Sequence, residues 1–164
     1  FELGSISERR IDQILDPARS KLPAFLAKDS GLESGLMIVQ YVAGAPLSEL
    51  HGHAAPRAVF STSTSAGQED HVSMGATACW NLLQSTKRIA EVLACELVIA
   101  CEALEFNDVE PSKHVAALKQ RVRAIVPPLD GDRSTSSELI AVANEMLDSK
   151  WLARIEAEVG RLPR

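Results

Sequence analysis

The chain has 164 residues, of which 46% are hydrophobic and only 4% aromatic, and its formal net charge is −5. This length suits one domain with a sizeable core, and the negative charge argues against nucleic acid or an anionic membrane surface as the main partner. Cys79, Cys95 and Cys101 have no metal-ligand spacing, and their odd number gives no closed disulfide framework. These features favour a reduced, cytoplasmic protein.

The first third of the chain predicts two helices separated by loops. Residues 5–15 carry apolar side chains at helical spacing and stop before Pro17. A second helix is expected over about 32–53. Pro46 should kink or split it, because proline removes a backbone donor and clashes with the preceding turn. The polar, Ser/Thr-rich residues 54–67 predict a loop.

A third helix is predicted over about 68–106 and organises the rest of the chain. It would be roughly 58 Å long at a rise of about 1.5 Å per residue, whereas a globule of this size is roughly 40 Å across. Its second half, from Ile89 to Leu104, is apolar nearly all round, which is typical of a buried helix. We therefore expect a helical bundle completed by other subunits or by another part of the same protein.

Two shorter helices are expected in the last third. Ser112 can cap one that runs to about residue 126, and the other begins at Thr135 and Glu138, which have capping-box spacing, and ends at Gly160. No segment alternates as a strand would. The predicted fold class is all-α.

The polar sequence Gln68-Glu69-Asp70-His71 stands at the predicted start of the third helix. Adjacent helical residues point about 100° apart, so one metal ion could not gather Glu69, Asp70 and His71, and no metal site is expected. A carboxylate in the first turn is favoured by the helix dipole and could contact a substrate or act as an acid or base. Gln68, Glu69 and Asp70 are also common residue types in the first turn of a helix. Composition alone therefore favours a purely structural role for them.

Other candidate groups have simpler interpretations. We expect His51 and His53, near a helix end, to be a solvated or capping pair. Cys95 and Cys101 lie on the apolar helix and are expected to be small core residues. Asp130-Gly131-Asp132 lacks the remaining acidic positions of a calcium loop and predicts a turn.

Four segments of the chain together form a pattern that spans more than one motif. They are Gly4-Ser5-Ile6-Ser7-Glu8-Arg9-Arg10-Ile11, Leu22-Pro23-Ala24-Phe25-Leu26, Ser34-Gly35-Leu36-Met37-Ile38 and Ser65-Ala66-Gly67-Gln68-Glu69-Asp70-His71-Val72-Ser73-Met74. In this order they resemble the C-terminal third of the histidine ammonia-lyase family. Related phenylalanine and tyrosine ammonia-lyases usually carry His-Asn-Gln-Asp-type residues where this chain has the sequence from Gln68 to Met74.

The resemblance implies a long-helix bundle of the aspartase/ammonia-lyase type and a cytoplasmic homotetramer. It also implies a carbon–nitrogen lyase that converts L-histidine to trans-urocanate and ammonia, using the electrophile 4-methylideneimidazol-5-one made from an Ala-Ser-Gly tripeptide. By position in the motif, Glu69 matches the family glutamate that contacts the substrate imidazole, and Gln68 matches its neighbour in the pocket wall. The charge and residue spacing described above, independently of the resemblance, predict no metal, no nucleic acid and no membrane partner.

The chain also departs from the family pattern. It contains no Ala-Ser-Gly, and Ser65-Ala66-Gly67 has the wrong order, so residues 1–164 are expected to be a C-terminal helical part that is inactive alone. The chain begins with Phe1, which favours a piece of a longer protein whose N-terminal catalytic part is absent, although a processed mature form is the alternative. The family tends to have His-Pro-Ala-Ser-Val-Asp-Ser where this chain has the seven residues from Ala55 to Ser61.

Two other functions remain open at the level of sequence. One is a fragment of an aromatic amino acid ammonia-lyase or aminomutase, although an anionic Glu69 suits an imidazole better than a phenyl ring. The other is a non-catalytic helical module that self-associates, which the missing tripeptide favours and the dense polar motif disfavours.

Overall fold

The computed structural model describes residues 1–57 and 59–161, and within these ranges the fold is helical without strands. The all-α prediction is confirmed. The helices are α1 (Glu2–Leu15), α2 (Pro17–Ser20), α3 (Met37–His53), α4 (Gly75–Ala103), α5 (Lys113–Arg123), α6 (Ser136–Leu147) and α7 (Trp151–Val159). No helix in the described ranges is long and apolar enough to cross a membrane.

The core forms around the second half of α4, where α1, α3 and α6 pack against it. The buried side chains of this half include Val92, Val98 and Ile99, each at most 2% exposed. Val98 and Ile99 join Ile11 and Leu15 of α1 in one apolar cluster. The predicted burial of the apolar half of the long helix is therefore confirmed. The expectation that other subunits or another part of the protein would be needed to cover this half is wrong, because α1, α3 and α6 of the same chain cover it.

The first half of α4 is uncovered, in contrast to the second. Every residue from 75 to 80 is exposed, and Trp80, Leu82 and Leu83 keep 61%, 69% and 50% of their surface open. Large apolar side chains exposed together mark a surface that is suited to covering by another chain or segment.

The long helix begins later than the sequence predicts. It starts at Gly75 instead of residue 68, although a 3₁₀ turn extends it to Phe106 as expected. The Ser73 hydroxyl accepts a hydrogen bond from the Gly75 backbone N–H at 3.2 Å. The residues before Gly75 are held by contacts with the preceding loop, which compete with helical hydrogen bonding.

The predicted second helix is also shorter at its start and is not split. It begins at Met37 instead of residue 32 and continues through Pro46 to His53. Pro46 is itself buried, on the same side as Val39 and Ala43. Apolar packing along this face holds the helix together despite the missing donor.

The C-terminal helix predicted as one element is two. Asp148 adopts an extended conformation and accepts a hydrogen bond from the Lys150 backbone N–H at 3.0 Å, which separates α6 from α7.

Of the two predicted helix caps, one is present. The Ser112 cap is confirmed, because its hydroxyl accepts a hydrogen bond from the Val115 N–H. The Thr135 capping box is wrong: Thr135 makes no capping side-chain hydrogen bond, and Glu138 pairs with Arg133.

Candidate functional site

The segment from Ser61 to Val72 is a closed loop on the surface. At its base, the Ser61 hydroxyl accepts from the Val72 N–H at 2.9 Å and donates to the Val72 carbonyl at 3.2 Å. Nearer the tip, Thr64 and Glu69 exchange backbone hydrogen bonds at 2.9 and 3.3 Å. The loop is thus fastened at two levels, which together hold Glu69 at its tip.

The tip of the loop reverses direction through left-handed backbone. Ser65, Ala66 and Gly67 have φ values of 53°, 52° and 87°. Only glycine adopts this region readily, so two non-glycine residues in succession carry local strain. This reversal is what allows Thr64 to face Glu69 across the tip.

The candidate residues Gln68 and Glu69 lie on this tip and not on a helix. The prediction that Glu69 occupies the first turn of the long helix is wrong, because α4 starts only at Gly75. The dipole of α4 therefore does not stabilise the Glu69 carboxylate in the way that a position in the first helical turn would allow. Both side chains are exposed, and so are Asp70 and His71.

The Glu69 carboxylate has a definite orientation despite its exposure. Its Oε2 accepts a hydrogen bond from the Thr64 hydroxyl at 2.7 Å. Within the described ranges, Oε1 has no hydrogen-bond partner. One oxygen is therefore held by the loop while the other is open to accept a hydrogen bond from a ligand.

Two polar contacts join the chain before this loop to α4. His53 Nδ1 lies 3.1 Å from the Ser85 hydroxyl. The Asn81 amide, oriented with its oxygen towards Arg57, accepts from Nε at 2.7 Å and from Nη2 at 3.2 Å. His53 is half-buried and bonded, while His51 is exposed and stacks edge-on with Phe1 at 5.0 Å between ring centroids.

A concavity lies elsewhere, between α3, the second half of α4 and the start of α6. Its volume is about 670 Å³, and its wall includes Val39, Pro46, Cys95 and Leu139, with Asp132 among the polar residues. Gln68 and Glu69 do not line it. Cys95 is buried there, which raises the pKa of its thiol to about 12, so this cysteine is the inert core residue that the sequence predicts.

Asp132 has a structural role that sequence reasoning missed. Its carboxylate accepts from the backbone N–H groups of Ser34, at 2.8 Å to Oδ2, and Gly35, at 2.9 Å to Oδ1. The Ser34 hydrogen bond, with help from Gly35, lowers the pKa of Asp132. Asp130-Gly131-Asp132 forms the predicted turn, with Gly131 at φ 82°, but nothing in its local pattern points to residues so distant in sequence.

Comparison with known proteins identifies the family of this helical chain. Residues 1–124 match the family model described as aromatic amino acid lyase. The chain belongs to this family. Its fold class, the long-helix bundle of the ammonia-lyase type, is therefore the one that the sequence predicts.

The aromatic amino acid lyase chain is similar to histidine ammonia-lyases over nearly its whole length. It is 43% identical to the histidine ammonia-lyase of Deinococcus radiodurans over 162 residues, covering 99% of this chain and 31% of that protein. The chain thus spans about a third of the length of the curated relatives that it matches.

Solved structures of the family share the fold. The histidine ammonia-lyase of Trypanosoma cruzi superposes with a TM-score of 0.88 at 33% identity, covering 94% of this chain and 31% of that one. The tyrosine aminomutase of Streptomyces globisporus superposes with a TM-score of 0.93 at 29% identity, covering 99% of this chain and 32% of that one.

Proposed function

We propose that this lyase chain is the C-terminal helical part of a histidine ammonia-lyase, which converts L-histidine to trans-urocanate and ammonia. The observation that carries the proposal is the 43% identity to a histidine ammonia-lyase over 99% of the chain. The 33% identity to the Trypanosoma cruzi enzyme, at a TM-score of 0.88, supports the same substrate.

Within this function, Glu69 binds the substrate imidazole and Gln68 forms the neighbouring pocket wall. A carboxylate can accept a hydrogen bond from an imidazole N–H and can stabilise its charged form. Supporting this role, Glu69 is exposed at a loop tip, with Oε2 held by Thr64 and Oε1 open. The approach of a substrate to Oε1 is therefore not blocked by the described residues of this chain.

The residues of this chain do not fit formation of the electrophile 4-methylideneimidazol-5-one. The group requires Ala-Ser-Gly, and the nearest sequence, Ser65-Ala66-Gly67, has the wrong order. The group would therefore come from another part of the complete protein, and the isolated chain is expected to lack lyase activity. The contribution of this chain is to bind and orient the imidazole.

The proposal includes assembly into a homotetramer in which the first half of α4 is covered. The exposed Trp80, Leu82 and Leu83 supply a suitable apolar surface there. Burial of such side chains contributes about 25 cal/mol per Å² of apolar surface removed from water. A cytoplasmic location is part of the same proposal, and the free cysteines Cys79, Cys95 and Cys101 are consistent with a reducing compartment.

The second candidate is an aromatic amino acid ammonia-lyase or aminomutase, favoured by the TM-score of 0.93 to a tyrosine aminomutase. Identity to that enzyme is only 29%, compared with 43% to the Deinococcus radiodurans protein. An anionic group at Glu69 also suits the imidazole of histidine better than the ring of tyrosine or phenylalanine. We therefore place histidine first.

The test is steady-state kinetics of the complete protein with L-histidine, L-tyrosine and L-phenylalanine. We expect turnover of histidine to urocanate. We also expect Glu69→Ala to lower kcat/KM for histidine by about tenfold or more, since a charge-assisted hydrogen bond is lost. Asp70→Ala, the same change at the next exposed carboxylate, is the control and should leave kcat/KM nearly unchanged. Turnover of tyrosine or phenylalanine in preference to histidine would establish the second candidate instead.

A further inference from the structure

The side chain of Thr64 is directed at the carboxylate to which the proposed function assigns the imidazole contact. Its hydroxyl donates to Glu69 Oε2 at 2.7 Å, a short distance typical of a hydrogen bond to a charged acceptor. The backbones of the same two residues exchange two further hydrogen bonds. Thr64 and Glu69 are thus joined by three hydrogen bonds, although neither is buried.

An exposed glutamate side chain normally samples several rotamers, and ordering it costs conformational entropy. The Thr64 hydroxyl restricts the Glu69 carboxylate before any substrate arrives. It binds only Oε2, so Oε1 keeps its capacity to accept from a ligand. This arrangement pre-organises a hydrogen-bond acceptor.

The Thr64 hydroxyl is not needed to close the loop. The base of the loop is closed separately by Ser61 and Val72, and the backbone pairing of Thr64 with Glu69 does not involve the hydroxyl. Thr64 is exposed, so it contributes little to the core. Loss of the hydroxyl alone should therefore leave the fold intact.

We propose that Thr64 is a positioning residue that orients the Glu69 carboxylate towards the substrate imidazole. The inference rests on the proposed function of Glu69 and deepens it. It assigns to Thr64 no contact with the substrate, because its hydroxyl acts through Glu69 Oε2.

The experiment compares Thr64→Val, which keeps the shape and removes the hydroxyl, with Thr64→Ser, which keeps the hydroxyl. Both are made in the complete protein, with Thr62→Val as the matched control, since the exposed Thr62 hydroxyl has no hydrogen-bond partner within the described ranges. Kinetics with L-histidine are measured in the wild-type and Glu69→Ala backgrounds, together with Tm.

We expect Thr64→Val to lower kcat/KM for histidine by about tenfold without a change in Tm. Thr64→Ser, which keeps the hydroxyl, should retain most of the wild-type kcat/KM. Thr62→Val should leave kcat/KM unchanged. In the Glu69→Ala background, Thr64→Val should cause no further loss, because there is no carboxylate left to orient.

Each other result overturns the inference in a recognisable way. If Glu69→Ala lowers kcat/KM while Thr64→Val does not, only the positioning role of Thr64 fails. If Glu69→Ala itself has no effect, the proposed imidazole contact fails and the role of Thr64 fails with it. An equal loss from Thr64→Val in both backgrounds, or a loss that Thr64→Ser does not rescue, would mean that Thr64 acts independently of Glu69.

Discussion

Glu102 near the end of α4 and Arg123 at the end of α5 form a buried ion pair, with 2.9 Å between Oε2 and Nη2. Their side chains are only 5% and 13% exposed. The Glu102 carboxylate also accepts from the Leu129 backbone N–H at 3.1 and 3.2 Å. One carboxylate therefore joins the long helix, α5 and the chain leading to α6.

Replacement of Glu102 should destabilise the fold. Glu102→Ala would leave the buried Leu129 N–H without its acceptor, while Arg123 would keep its ion pair with Glu105. We therefore expect the free energy of unfolding to fall by about 1–3 kcal/mol. Urea unfolding of the isolated chain measures this. Glu49→Ala, which removes an exposed pair with Arg88, should cost no more than about 1 kcal/mol. Equal losses in the two variants would show that burial does not distinguish these pairs.

The Asp132 turn predicts a defined acid sensitivity. The Ser34 and Gly35 N–H groups lower the pKa of Asp132 in the folded state. A lowered folded pKa contributes stability that is complete above the ordinary value of about 3.9 and is lost as the pH falls through the folded value. Asp132→Asn should therefore be less stable than wild type at neutral pH, and the gap in urea midpoint should shrink below about pH 4.

The control for this pH dependence is Asp130→Asn, the same change within the same turn. It leaves the Ser34 and Gly35 hydrogen bonds in place and removes only the exposed ion pair of Asp130 with Lys28. Such a pair contributes no more than about 1 kcal/mol, so the midpoint should stay close to that of wild type across the acid range. A gap between Asp132→Asn and wild type that stays constant with pH would exclude the predicted linkage.

The cysteines should differ sharply in reactivity. Cys79 is exposed, whereas burial raises the pKa of Cys95 to about 12 and also raises that of Cys101. Since the thiolate is the reactive form, iodoacetamide should label only Cys79 in the folded isolated chain and all three sites after unfolding. Peptide mass spectrometry reads the result. Labelling of Cys95 as fast as Cys79 would contradict the buried position of Cys95.

The two halves of α4 should differ in how far an introduced aspartate destabilises the chain. Leu97 packs against the core of the chain, so Leu97→Asp should lower the free energy of unfolding of the isolated chain. Leu82 is 69% exposed, so Leu82→Asp should change that free energy by less than about 0.5 kcal/mol. In the complete protein, light scattering should show that Leu82→Asp weakens the proposed tetramer. An intact Leu82→Asp tetramer would place the interface elsewhere.

The apolar pattern of the sequence is enough to predict the helical class and the buried half of the long helix. The reason is that helical periodicity depends on near neighbours, and the burial of residues such as Val98 and Ile99 follows from it directly. Capping by Ser112 is equally local. By contrast, the break at Asp148 depends on a side-chain hydrogen bond to Lys150, which competes with a pattern that would also suit a continuous helix.

The candidate site shows where sequence reasoning fails. The motif identifies Glu69 and Gln68 by resemblance, but their location on a helix is wrong. The loop that replaces the helix depends on the pairs Thr64–Glu69 and Ser61–Val72 and on left-handed backbone at Ser65 and Ala66. Neither a side-chain pairing nor a positive φ at a non-glycine residue leaves a periodic signal in the sequence.

The most direct measurement is a crystal structure of the complete protein with a bound histidine analogue that cannot eliminate ammonia. We expect an imidazole nitrogen within about 3.2 Å of the Glu69 carboxylate, with Thr64 still bonded to Oε2. An analogue whose imidazole is bound by other residues, with the Glu69 carboxylate turned away, would contradict the proposed role of this chain in substrate binding.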